Sequence, residues 1–282
     1  MLNTTPIEPI DYLIIGHIVQ DVVPGGYTLG GTASYASLTA RAMGLRVGIV
    51  TSINPAIELP QLDGISIVAI PSEYTTTFEN IYTPNGRIQY LHHRAAPLDI
   101  SMVPETWKNT PIVHLGPLCQ EVDPKLVRSF PNSFIGITPQ GWMRTWDTNK
   151  RVSFTEWYES RFVLENASAA VLSIEDIECN EERIEDMLTA IRLLVVTEGE
   201  KGARLYWNGD LRYFRPPQIY EGDATGAGDI FAAAFFARYV ATRDPWEAAR
   251  FATQLAANSV TRVGLNGVPT PEEVQQSLAE VV

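Results

Sequence analysis

Residues Asp223-Ala224-Thr225-Gly226-Ala227-Gly228-Asp229 set small residues and two glycines between acids, and an apolar stretch, IFAAAFFARY, follows at once. Gly226 and Gly228 permit backbone angles and close approaches that larger residues forbid. The helix that must begin here leaves its first N–H groups unpaired, and its dipole adds partial positive charge at the same end. The stretch is therefore a candidate anion site made of backbone, with a carboxylate, Asp229, held beside it. The dipole is also expected to favour the ionised form of Asp229. Such a pairing suits phosphoryl transfer, because N–H groups stabilise charge on phosphoryl oxygens while the carboxylate accepts the proton of an attacking hydroxyl. A glycine-rich strand-to-helix turn with an acidic first-turn residue has the same pattern, and the residues alone leave both readings open.

Other candidate chemistry is thinner. GITPQGWMRTW, Gly136 to Trp146, follows an apolar run at the end where ligands bind in open α/β sheets, so Arg144 either faces a phosphate or acceptor or stands in solvent over packed tryptophans. The four histidines, His17, His92, His93 and His114, lack metal-ligand spacing. His92 and His93 are neighbours in a strand-like segment, so at most one of them faces a given side. Cys119 and Cys179 lie far apart with no CxxC, which indicates neither a disulfide framework nor a zinc site and fits a reducing, cytoplasmic setting. Ser34 has no GxSxG around it, no GxxxxGK[ST] occurs, and Gly16 is followed by His17 and Ile18 rather than by GxGxxG. A serine hydrolase, a P-loop kinase and a classical dinucleotide fold are disfavoured.

The elements that must position these residues are legible as apolar runs. Tyr12–Ile15, Val47–Val50, Ile65–Ile70, Ile112–Leu115, Phe134–Ile137, Ala170–Leu172 and Leu193–Thr197 have strand length and are apolar throughout. They alternate with helix-like segments, Ala33–Met43, Thr155–Asn166 and Ile184–Arg192, a pattern that predicts a parallel sheet covered on both faces. Thr75 to Arg94 reads instead as an antiparallel hairpin around Pro84-Asn85-Gly86. Beyond it, helices are expected over Asp229–Ala241 and Trp246–Val263, and after Thr270-Pro271-Glu272-Glu273. With 282 residues, 45% of them hydrophobic, the chain can bury one large core. A net charge of -12 without any basic run argues against a nucleic-acid partner. No basic segment precedes a long apolar run and no apolar stretch is long enough to span a bilayer, so neither export nor a membrane is expected.

The DATGAGD run, together with other stretches in order, resembles the ribokinase or PfkB-type carbohydrate kinases, whose signature is DTxGAGD. YLIIGHIVQD matches the family's opening strand with Gly16 and Asp21, LGGTASYAS its Gly-Gly turn at Gly30 and Gly31, Thr197-Glu198-Gly199-Glu200-Lys201-Gly202 its T-x-G-x-x-G turn, and AANSVTRVG its closing helix and small-residue turn. The resemblance implies a ribokinase-like three-layer α/β/α sandwich with a mostly parallel central sheet and a small β lid. Residues 1–282 would form a single kinase domain with lid segments at about 17–29 and 75–95. It further implies an ATP-dependent kinase that transfers the γ-phosphate to a hydroxyl of a small sugar or polyol. A nucleoside kinase and a non-catalytic sugar or nucleoside sensor are the alternatives.

In that frame Asp229 would be the general base and the N–H groups of Gly226, Ala227 and Gly228 the anion hole. Asp21, Gly30 and Gly31 would hold the acceptor, with Thr32 and Tyr35 where the family's GGNxxN has asparagines, and Arg144 nearby. Thr197, Gly199, Gly202 and Thr225 would line the nucleotide site. The family's N-x-x-E motif falls on Ser173 to Asp176, so Asp176, with Glu175 in competition, would hold Mg²⁺ through water; an acidic helix N-terminus has the same pattern. A monovalent cation, a monomer or a homodimer through the lid, and stacking of a nucleoside on Tyr27, Tyr35 or Phe78 remain open. GGTASY and TPQGWMR are similar to the branch with plant myo-inositol kinases.

Overall fold

The computed structural model describes residues 7–83, 86–220 and 222–279. The first strand, β1 (Tyr12–Ile15), shows how the apolar runs work: all its side chains are buried, Tyr12 and Ile14 in one core and Leu13 and Ile15 in another. Alternation along an extended chain sends neighbouring side chains to opposite faces, so a strand apolar at every position must be covered on both. In chain order there follow β2 (Val19–Val23), β3 (Gly26–Gly30), β4 (Val47–Ile53), β5 (Ser66–Pro71), β6 (Thr76–Thr83), β7 (Gly86–His93) and β8 (Ile112–Leu115). Beyond them lie β9 (Phe134–Ile137), β10 (Arg144–Trp146), β11 (Val152–Phe154), β12 (Ala169–Ser173), β13 (Leu193–Thr197), β14 (Ala203–Trp207) and β15 (Asp210–Phe214).

The central sheet has nine strands in the order β15-β14-β13-β12-β9-β8-β1-β4-β5, parallel from β13 to β5 and closed by the antiparallel pair β14–β15. One face carries α1 (Thr32–Ala42), α4 (Ala227–Thr242) and α5 (Pro245–Ser259), with α6 (Pro271–Ala279) against α5. The other carries α2 (Ser160–Asn166), α3 (Glu181–Leu188) and several short 3-10 turns. The expected three-layer α/β/α arrangement is present. Ile230 through Ala237 of α4 are buried without a break, which a helix tolerates only when it is wrapped by sheet and helices alike. A separate sheet, β3-β2-β6-β7, stands over the ends of the central strands, with Val19, Phe78 and Leu91 facing Leu118 and Cys119. Among the described residues no helix is long and apolar enough to cross a membrane.

Several boundaries differ from the sequence expectation. Thr155 to Glu159 are not helical, because Thr155 N–H is spent on Met143 and the Trp157 ring stacks on Trp142 at 5.3 Å, leaving α2 to start at Ser160. α3 begins earlier than expected, where the Asn180 side chain accepts from Glu182 N–H, and ends before Arg192. α5 stops at Ser259, short of Val263. The β14–β15 hairpin was not anticipated, although ARLYW-Asn208-Gly209-DLRYF carries the Asn-Gly dipeptide, and both residues have positive φ (51° and 92°) as a primed hairpin turn requires. The hairpin expected around Pro84-Asn85-Gly86 is flanked by β6 and β7 in antiparallel pairing; Pro84 and Asn85 lie outside the described residues.

Candidate active site

The ends of β9, β12 and β13, the first turn of α4 and the inner face of the small sheet enclose one cavity of about 1080 Å³. Its centre is the N-terminus of α4. Gly226 caps that helix at φ 80°, and a Cβ there would fall 2.3 Å from Tyr35 Cε1, so the turn needs glycine for conformation and for packing. Asp223 ties the turn down: its carboxylate accepts from Thr225 N–H at 2.9 Å and from Gly264 N–H at 2.8 Å. These bonds hold its pKa below the usual value although burial pushes the other way. Asp229, in the first turn, accepts from the Thr32 hydroxyl at 2.6 Å, joining the starts of α4 and α1.

Electrostatics divide the cavity. Burial raises the Asp229 pKa to about 6; the Thr32 hydrogen bond opposes the rise and the Asp176 carboxylate adds to it. The helix terminus was expected to favour the ionised form, but loss of water around a group at the bottom of a cleft outweighs a partial charge confined to one helical turn. Asp21, on β2, is likewise raised by burial to about 6, against the pull of Arg87 and a 3.3 Å hydrogen bond from Asn80. Gly30 lies directly under it: a Cβ there would be 2.1 Å from Asp21 Oδ2. Arg144 lines the same end, its pKa lowered by burial to about 10, with the Asp176 and Asp229 charges resisting that fall. Two carboxylates near neutrality and a desolvated guanidinium thus face one space, a composition suited to moving a proton beside an anion.

A model of the family described as pfkB family carbohydrate kinase matches residues 163–272, the part that contains the α4 turn, Ser173 to Asp176 and Thr197 to Gly202. A cytidine kinase of Thermococcus kodakarensis is 25% identical over 285 residues, covering 90% of this chain and 98% of that protein. An inositol 3-kinase of Zea mays is 39% identical over 77 residues, 27% of this chain and 20% of the relative. A pyrophosphate-dependent kinase of the ribokinase family superposes with a TM-score of 0.80 at 20% identity, over 94% of this chain and 99% of the other, which establishes the ribokinase fold. Over residues 163–272 the chain is similar to the PfkB carbohydrate kinases, and over its length it has the ribokinase fold. It is a phosphotransferase of that class.

In this kinase the cavity wall includes Asp21, Gly31, Thr32, Tyr35 and Arg144 at one end and Thr197, Gly199, Gly202 and Thr225 at the other, with Gly226 to Asp229 between them. Gly30 is not on the wall; its role is the close approach to Asp21. Glu175 and Asp176 both reach the wall, and Asp176 is also structural: its Oδ2 accepts from Ser173 N–H at 2.9 Å, its Oδ1 from Gln140 Nε2 at 2.5 Å, and the Ser173 hydroxyl caps the turn in return. The acidic-terminus reading therefore holds for Asp176, which keeps its place on the cavity wall as well. Tyr27 is 63% exposed and lies away from the cavity, whereas Phe78 lines it. Arg94 is spent on the Gln120 carbonyl and the Trp146 ring. His92 pairs with Glu79 at 2.7 Å and His93 stacks on Tyr74, so neither histidine enters.

Sequence reasoning missed Asn80, Arg87, Gln89 and Gln140 on the wall. The first three were within reach: Asn80 pairs with Gln89 and Tyr82 with Arg87, so alternation from Phe78 places them on one face of the hairpin. Gln140 had no such signal. Among the described residues, His17, Cys119 and Glu121 form a cluster with metal-ligand spacing. Its polar atoms are already committed: Glu121 accepts from the N–H groups of His17, Leu118 and Cys119, and the His17 ring meets the Thr76 hydroxyl at 2.6 Å and the Ala96 carbonyl at 2.9 Å.

Proposed function

We propose that this kinase transfers the γ-phosphoryl group of ATP to a hydroxyl of a small sugar or polyol, with Asp229 as general base. The observation that carries the proposal is the placement of Asp229, hydrogen-bonded to Thr32 at the N-terminus of α4, midway along a cavity whose two ends differ in chemistry. The Asp21 end offers Asn80, Gln89 and Arg87, the donors and acceptors that a polyhydroxylated ligand needs. The far end is lined by Pro216, Pro217, Ile219, Ala256 and Val260, apolar and small, as a flat heterocycle requires. That end is the specific support for a nucleotide donor over pyrophosphate, which would leave it unused.

The acceptor hydroxyl gives its proton to Asp229 as its oxygen bonds to the γ-phosphorus, and the bond from phosphorus to the bridging oxygen breaks to leave ADP. The N–H groups of Gly226, Ala227 and Gly228 stabilise the charge on the phosphoryl oxygens, and Arg144 adds a cation on the same side. Glu175 and Asp176 offer hard oxygen donors on the cavity wall and fit a hydrated Mg²⁺, which when bound supplies positive charge to the donor phosphates. The small sheet acts as the lid that excludes water. A nucleoside acceptor, stacked on Phe78, is the second reading, favoured by that ring's place on the wall. Nucleotide-diphosphate or phosphate release from Mg-ATP and from Mg-pyrophosphate, with pentoses, hexoses, inositols and nucleosides, tests both points. Turnover only with pyrophosphate would refute the donor assignment, and turnover with no acceptor would refute the kinase reading in favour of a sensor.

A further inference from the structure

Behind the cavity floor runs a buried chain of polar groups that the reaction above leaves unused. The Tyr12 hydroxyl lies 2.9 Å from His114 Nδ1, and His114 Nε2 lies 3.0 Å from the Thr138 hydroxyl. Tyr12 and His114 are fully buried, on adjacent strands β1 and β8, with the His114 ring held edge-on against Phe236 of α4 at 5.0 Å. Thr138, at the end of β9, is the member that reaches the cavity wall. Burial keeps the imidazole neutral, its pKa lowered to about 3, so it carries one proton and has two neighbours to satisfy.

The placement of that proton follows from accounting for buried donors. If it sat on Nδ1 and were donated to the phenol oxygen, the Tyr12 O–H would have to find an acceptor elsewhere, and no other hydrogen-bond partner of that hydroxyl is present among the described residues. A buried hydroxyl left without an acceptor is costly. With the proton on Nε2 both fully buried donors are satisfied: Tyr12 donates to Nδ1, Nε2–H donates to Thr138, and the Thr138 proton must point elsewhere. No protein acceptor for it is present among the described residues, and Thr138 borders the cavity. We infer that Thr138 is a hydrogen-bond donor to an oxygen of the transferred phosphoryl group, and that Tyr12 and His114 are positioning residues that aim it. The phosphoryl assignment rests on the proposed kinase reading; the direction of the hydrogen bonds does not.

Two measurements test this. In ¹⁵N-histidine-labelled protein, the two-bond nitrogen–proton correlation of His114 is expected to show the Nε2–H tautomer, and Tyr12→Phe is expected to make it a mixture; an Nδ1–H tautomer in the unaltered protein overturns the inference, because Thr138 would then spend its proton on the ring. Thr138→Val is expected to lower kcat about 10- to 100-fold, the range for a lost hydrogen bond to developing charge, with acceptor KM within about threefold, and Thr138→Ser is expected to restore it. Turnover unchanged in Thr138→Val, or a loss that serine does not restore, overturns the role. Should the unaltered protein transfer no phosphoryl group, the proposed function falls by itself. The inference is then decided by the tautomer and by inorganic phosphate binding, which Thr138→Val must weaken and Thr138→Ser must not.

Discussion

Replacing Asp229 by Asn should make the protein inactive and more stable at once. The rise of its pKa from 3.8 to about 6 means that the folded state disfavours the ionised carboxylate. At about 1.36 kcal/mol per unit, that is ~3 kcal/mol of native-state cost once the group is fully charged. Asparagine keeps an oxygen for the Thr32 hydroxyl and carries no charge, so it escapes this cost. The side chain is only partly buried and borders the cavity, and solvent there screens part of the effect, so we expect a gain of ~1–3 kcal/mol, or ~2–8 °C in Tm. The gain depends on pH in a defined sense. Between 3.8 and about 6 the native state binds more protons than the unfolded chain, so wild-type stability declines as pH rises through that window. The advantage of Asp229→Asn should be absent near pH 4, grow through the window and be complete above pH ~7. Thermal unfolding of both proteins from pH 4 to 8 measures it, and kcat should fall ~100- to 10,000-fold in the same variant. Equal stability at every pH refutes the burial account of the shift, and near-normal turnover removes Asp229 from the base role.

Other expectations follow from the same geometry. Because Asp21 and Asp229 both ionise near pH 6, kcat/KM should fall below that pH with a slope steeper than one proton, with apparent values belonging to the pair; a single-proton limb near pH 4 refutes it. Thr32→Val removes the hydrogen bond that holds the Asp229 pKa down, so the acid limb should move to higher pH, and an unmoved limb would show that Asp229 does not set it. Asp21→Asn should raise acceptor KM at least ~10-fold with KM for ATP within about twofold; parallel changes in both would place Asp21 outside acceptor binding. Gly226→Ala forces a side chain into a positive-φ turn and onto the Tyr35 ring, and should cost ~1–3 kcal/mol in urea unfolding; a neutral effect would mean that the turn can rearrange.

The start of α4 and the parallel core of the central sheet were both legible from local pattern, since strands covered on both faces must be apolar throughout and a helix start after Gly-x-Gly exposes its own N–H groups. Tyr12–Ile15 and Ile112–Leu115 were placed to the residue for that reason. The hairpin β14–β15 was also written in the sequence, in Asn208-Gly209, and was overlooked. By contrast, Thr155 to Glu159 have a helical pattern that the Trp142–Trp157 stack overrides, a contact between segments that no window of sequence contains.

Chemistry was divided in the same way. Residue types and their spacing were enough to single out Asp229 and its turn, because helix-end electrostatics are local. The state of Asp229 was not local: its raised pKa comes from burial beneath the small sheet and from the carboxylates of distant segments, Asp176 and Asp21, against the opposing pull of Thr32 and Arg144. The partners of His114 come from β1 and from the end of β9, brought together only by sheet order. Short-range sequence determines which backbone groups a helix leaves unpaired; tertiary packing decides how much water remains around a charge and therefore what that charge can do.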